Sequence, residues 1–299
     1  EIGVRLVGSE MCIRDREITC AYEPYLTMIC DGFRRYMTGT FEEFMETCDV
    51  YYLHRPVLLG YFNQDNTGRE EIILLDEVAY EQERMLAALE RMLCAIADRH
   101  PVLFVLNRFQ LASKSTMQLT ARFLKCENCN IGLVLGVSDI QAMPEFLVPD
   151  WEMLYETLDD GSKIYHIGNS GRKKEETIDD EKYVDYGSEK VYRKLQNMVE
   201  FLDFDQAAYY LETIERKIKF DNLLVDDAAR FRMWLLFVKV SILRQDIPKA
   251  LEICEDLEKI HLAGKEEECA YEQDYLIATA YMYPVSYTHL RAHETDSYL

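Results

Sequence analysis

Apolar residues recur at helical spacing from Glu81 to His100, where Met85, Leu89, Met92, Leu93 and Ile96 share one stripe. Glu81, Glu83, Glu90, Arg91 and Asp98 lie largely off it, so the segment is expected to be an amphipathic helix, ended by Pro101. Val102 to Leu106 follows as a continuous apolar run of strand formers, short enough for a strand buried on both faces. Ser113 and Ser115 then offer N-cap hydroxyls to a short helix that carries Met117, Ala121 and Leu124 on one face and ends near Lys125. Ile131 to Val137 reads as a second buried strand. Helix, strand, helix, strand at these lengths predicts a parallel sheet with crossover helices. A helix around Trp151 to Leu158 and a third strand at Lys163 to Ile167 continue the series. Before it, Ile18 to Ala21 is read as a strand and Pro24 to Met37 as a helix.

From Gly168 onward the pattern breaks into a polar stretch with Gly-Asn-Ser-Gly and Arg172-Lys-Lys174, expected to be a linker over 168–186. The acids beside the basic triplet make it a solvated loop. Everything beyond is helical in period, and two segments match. Asp203, Ala207, Leu211 and Ile214 align with Asp246, Ala250, Cys254 and Leu257, 43 positions apart. A small residue where helices cross, followed by apolar residues four and seven positions on, is what stacked helix pairs require, because each pair buries its face against the next.

This pattern resembles tetratricopeptide repeats. Trp234 stands sixteen residues before Ala250, where that family places its first-helix aromatic, and Ala278 and Tyr281 suit the first helix of a following unit. The spacing is longer than the family's usual ~34 residues, with Phe220 to Asp227 as an inserted loop. The resemblance implies a protein-binding surface over 187–284.

The termini follow neither period. Val7 to Arg16 and Val285 to Leu299 resemble translated sequencing-adapter read-through, so 1–16 and 285–299 are set aside and the chain is read as an internal piece of a longer protein. His289 and His293 go with them. Tyr275, Leu276, Ala278, Tyr281 and Met282 would then form the first helix of an uncapped repeat, from which self-association is expected.

Composition narrows the function classes. A formal charge of -21 over 299 residues disfavours direct nucleic-acid binding, whose affinity rests on Lys and Arg displacing counterions. No apolar run approaches the ~18 residues needed to cross a bilayer, so no membrane partner is expected. Nine cysteines without a regular framework point to a reducing, cytoplasmic setting. Cys126 and Cys129 form one CxxC pair with no second pair and no nearby His, and a zinc site takes about four ligands. They read as two incidental thiols in a helix-to-strand loop, and no metal site is expected.

Val102 to Ser115 resembles the Walker B region of signal-transduction P-loop ATPases, the STAND and AAA-like class. Gln110, Ala112 and Ser115 fall where the family pattern puts them, and Tyr22 and Pro24 suit its second-strand region. The resemblance spans roughly Ile18 to Ile167. It implies an α/β parallel-sheet partial P-loop NTPase domain over 17–167, followed by an all-α helical-repeat domain. It also implies nucleotide-facing positions at Asn107, Arg108, Gln110 and, in the sensor place after the second strand, Ser138.

The family needs two acids at the strand end, one to hold Mg²⁺ and one to polarise water. Asn107 and Arg108 stand there instead. An amide is a poor ligand for a hard cation and a guanidinium cannot act as a base, so hydrolysis is expected to be weak or absent. No Gly-x-x-x-x-Gly-Lys-Ser/Thr loop occurs in the chain. No cofactor is expected for this piece, with ATP and Mg²⁺ left to a longer parent. The leading expectation is therefore a signalling switch module whose output lies elsewhere, either a helix-turn-helix or a diguanylate cyclase. The alternative is an active ATPase in which Asp139 or Asp76 supplies the metal contact.

Overall fold

The computed structural model describes residues 20–64, 77–126, 129–137, 143–159, 185–260 and Thr279. The ends 1–16 and 285–299, the strand expected at Lys163 to Ile167, Ser138, Asp139, Asp76 and the apolar set Tyr275, Leu276, Ala278, Tyr281 and Met282 lie outside them. Two compact units are distinguished, Glu1–Glu70 with Glu83–Asp185, and Glu71–Gln82 with Tyr186–Leu299.

In the first unit, α1 (Tyr25–Tyr36) places Tyr25, Leu26, Ile29, Cys30 and Phe33 inward. Two short helices follow. Thr40 opens α2 (Phe41–Thr47) with a capping box, its hydroxyl accepting from the Glu43 N–H while the Glu43 carboxylate accepts from the Thr40 N–H. Pro56 in the first turn of α3 (Arg55–Asn63) supplies a preset φ where no backbone donor is needed. The amphipathic stripe forms α4 (Val78–Arg99), with Met85, Leu89, Met92, Leu93 and Ile96 all buried.

Strand β1 (Val102–Asn107) pairs in parallel with β2 (Ile131–Gly136), in register from Val102 opposite Ile131 to Asn107 opposite Gly136. The crossover is α5 (Lys114–Lys125), and α6 (Val148–Asp159) packs against it. The helix–strand–helix–strand expectation is met over these elements. Tyr25 sits at the centre, its ring edge-on to Phe104 of β1 at 4.9 Å and 5.5 Å from Phe123 of α5.

Two expectations are corrected here. β1 is not buried on both faces: Val102, Phe104 and Leu106 point inward, while Leu103, Val105 and, on β2, Val134 are 54, 55 and 50% exposed. An unbroken apolar run carries no period, so it cannot report which face is covered. Cys20 and Ala21, the described part of the strand expected at Ile18 to Ala21, lead into a turn. Tyr22 adopts φ 54°, and its N–H goes to the Ser115 hydroxyl at 3.0 Å instead of to a neighbouring strand.

The second unit contains α7 (Glu189–Glu200), α8 (Phe204–Phe220), α9 (Asp227–Leu243) and α10 (Ile247–Glu258). Successive helices pack on each other, and α7 also touches α9. The match 43 positions apart extends to the backbone. Between α7 and α8, Leu202 is left-handed at φ 65° and the Asp203 N–H reaches back to the Met198 carbonyl at 2.7 Å. Between α9 and α10, Gln245 is left-handed at φ 61° and the Asp246 N–H reaches the Ser241 carbonyl at 2.8 Å. Asp203 and Asp246 then start their helices at nearly equal angles, φ -88°, ψ 63° and φ -88°, ψ 70°. Ala207 and Ala250 are both fully buried, as close helix crossing requires. The chain thus repeats one helical hairpin, and the loop expected at Phe220 to Asp227 separates the copies.

Candidate functional site

In an open parallel sheet, ligands bind outside the carboxyl ends of the strands. That edge is formed here by Asn107 and Gly136, which face each other in register. A Cβ at 136 would stand 3.0 Å from the Asn107 Oδ1, so a larger residue there would require that amide to shift by a few tenths of an ångström. Asn107 is exposed, and Arg108 turns the chain off the strand in a left-handed conformation at φ 56°, ψ 42°. The following 3-10 turn, Phe109–Leu111, drives Phe109 and Gln110 inward, leaving Gln110 only 3% exposed.

Of the residues expected to face nucleotide, Asn107 and Arg108 therefore stand at the open edge, Gln110 packs beneath it, and Ser138 lies outside the described residues. The edge offers a neutral amide and a guanidinium. Such a pair can attract and hydrogen-bond an anionic group, but neither member can take a proton from water.

Ser115, another residue carried by the ATPase resemblance, is committed to the fold. Its hydroxyl accepts from the Tyr22 N–H and sits 3.0 Å from the Ser113 hydroxyl, which in turn caps α5 by accepting from the Thr116 N–H at 3.2 Å. The Thr116 hydroxyl donates to the Glu23 carbonyl at 2.9 Å, and Thr120 pairs with the Tyr25 hydroxyl at 2.6 Å. This chain of hydroxyls fastens the start of α5 to the Tyr22–Pro24 turn. Burial is the main reason the Tyr25 phenol is pushed above its ordinary range, its hydrogen bond with Thr120 opposing it only in part.

At the opposite end of the strands, three thiols converge. Cys94 comes from α4, Cys126 caps the C-terminus of α5, and Cys129 lies two residues before the start of β2; their sulfurs all lie within 4.8 Å of one another, each half-buried. The Cys129 thiol donates to the Cys126 carbonyl at 3.5 Å. Burial, reinforced by the Cys126 and Cys129 thiols, pushes Cys94 up to about 12. Burial is also the leading cause that raises Cys129, followed by its hydrogen bond with Cys126, while the backbone N–H of Ile131 acts in the other direction.

An ion pair occupies the turn below. Glu90 and Arg122 precede Cys94 and Cys126 by four residues each, and Arg122 Nε meets the Glu90 carboxylate at 2.7 Å while its other arm is taken by Glu83. Residues four apart share a helix face, so the ion pair and the thiol pair are successive rungs between the same two helices. The CxxC spacing by itself gives Cys126 and Cys129 no further ligand, and Cys94 joins them only through the packing of α4, a tertiary contact. The signal available was Cys94 on the flank of the α4 apolar stripe, at a position that a solvated face would fill with a charge.

Among the described residues no helix is long and apolar enough to cross a membrane. No protein-family model, no curated protein and no solved structure matches the chain.

Proposed function

We propose that the chain is a regulatory module of a signalling protein: an ATPase-like α/β unit that does not hydrolyse nucleotide, joined to helical hairpins that bind a protein partner in the cytoplasm. The observation that carries the reading is the carboxyl edge of the parallel sheet, where Asn107 and Arg108 occupy the positions at which a hydrolytic member of the resembled class needs acids. The contact between Tyr22 and Ser115 supports the same resemblance, since it joins two segments matched to it independently. The repeated hairpin supports the partner class: units that stack in one dimension present an extended surface instead of a closed pocket.

The test is phosphate release from the purified 299-residue chain with Mg²⁺ and ATP. Release is expected to equal the protein-free background. Steady turnover that disappears in Asn107→Ala would overturn the reading, because the amide would then be serving a working centre.

A further inference from the structure

We infer that Cys94, Cys126 and Cys129 form a three-thiolate site for a soft d10 metal ion, zinc above all, at the edge of the sheet away from Asn107. Zinc–sulfur bonds of about 2.3 Å set sulfurs about 3.8 Å apart in a tetrahedral site. Sulfurs already within 4.8 Å of one another reach that spacing by side-chain adjustments of about 1 Å or less. Three protein ligands leave the fourth zinc position to water.

Two features favour a cation over a redox dithiol. Reactive CxxC thiols sit at helix N-termini, where the dipole favours thiolate; Cys126 instead caps the C-terminal end of α5, whose partial negative charge attracts a cation. A disulfide would use two of the sulfurs and strand the third.

The surrounding fold holds the ligands in place. The Glu90–Arg122 bridge fixes the approach of α4 to α5 one turn from Cys94 and Cys126. The bond from the Val102 N–H to the Asn130 carbonyl, 2.9 Å, fixes the residue after Cys129 against β1. Six strand residues, about 17–20 Å, separate this edge from Asn107, so the site is independent of nucleotide chemistry. A bound ion would tie together α4, the end of α5 and the start of β2.

The experiment uses the full 299-residue chain, reduced and stripped of metal with a chelator, then titrated with Zn²⁺ against a chromogenic competitor and with Cd²⁺ followed by thiolate-to-metal absorption. One equivalent is expected to bind ahead of any other. Cys94→Ser, Cys126→Ser and Cys129→Ser should each weaken that step by at least about tenfold, whereas Cys20→Ser should leave it unchanged. X-ray absorption on the zinc-loaded unmutated chain should count three sulfurs and one lighter neighbour, a readout that does not depend on any variant folding. Absence of a leading equivalent, a count of two or four sulfurs, or retention of affinity in Cys94→Ser would overturn the assignment.

Discussion

The two hairpin turns share a backbone but differ in what the left-handed residue does with its side chain, and glycine substitution separates the two contributions. Left-handed geometry costs an L-residue roughly 1–2 kcal/mol, while glycine gives back about 0.5–1 kcal/mol through the extra freedom of the unfolded chain. At Gln245, whose side chain is exposed, little else changes, so Gln245→Gly should stabilise the protein by about 0.5 kcal/mol. Leu202 has nearly the same φ but is 1% exposed. Leu202→Gly gains the same backbone relief and loses a buried side chain worth about 2–5 kcal/mol, for a net loss of roughly 2–4 kcal/mol. Urea unfolding of both variants beside the unmutated chain reads the difference as opposite shifts of the midpoint at equal slope. If Gln245→Gly destabilises by more than about 1 kcal/mol, glycine's intrinsic cost exceeds the relief, and the left-handed turn is not strained by an L-residue. If Leu202→Gly is neutral, burial at that turn contributes nothing.

Ser115→Ala should cost about 1–3 kcal/mol in the same assay, because it strands the Tyr22 N–H without its acceptor; unchanged stability would free Ser115 for a ligand-binding role. Glu252 supplies a pH test. Hydrogen bonds from Lys249 and then Lys219, at 2.9 and 3.1 Å, hold its carboxyl below the ordinary 4.5. A depressed carboxyl contributes stability above its unfolded pKa and loses it as pH falls through the folded one. The urea midpoint should therefore fall more between pH 5 and pH 3 in the unmutated chain than in Glu252→Gln. The difference should stay within about 1 kcal/mol because the carboxylate is half exposed, and equal slopes would remove Glu252 from the account.

Legibility in the sequence followed the length and regularity of each element. The stripe of α4 and the match between Asp203–Ala207 and Asp246–Ala250 repeat a period over many residues, and both elements stand where that period puts them. The short helices α2 and α3 do not emerge from periodicity, since seven and nine residues complete only about two to two and a half turns. Their local marks are present: the Thr40–Glu43 capping box locates α2, and Pro56 in the first turn locates α3, which has no side-chain cap. At the sheet edge, the identities of Asn107 and Arg108 were readable, but the inward packing of Gln110 depends on the left-handed step at Arg108, which no pattern announces. The cysteine cluster was only two-thirds legible for a similar reason: CxxC spacing is local, whereas Cys94 arrives through the packing of another helix.

Helix α9 keeps only a narrow solvated edge, through Ala228, Arg232 and Lys239. Trp234 to Val238 are buried without a break, and α7, α8 and α10 all lie against it. An isolated α9 would have no reason to persist in water, so its helicity is a product of assembly and not a precursor to it. In hydrogen exchange, its central amides should open only when the whole unit unfolds, while the ends of α8 and α10 exchange through local fraying. The same helix makes the unit intolerant of partial synthesis. A ribosome that has released α9 but not α10 holds out a continuous apolar segment with one of its covers missing, and that interval is when this chain most needs a chaperone.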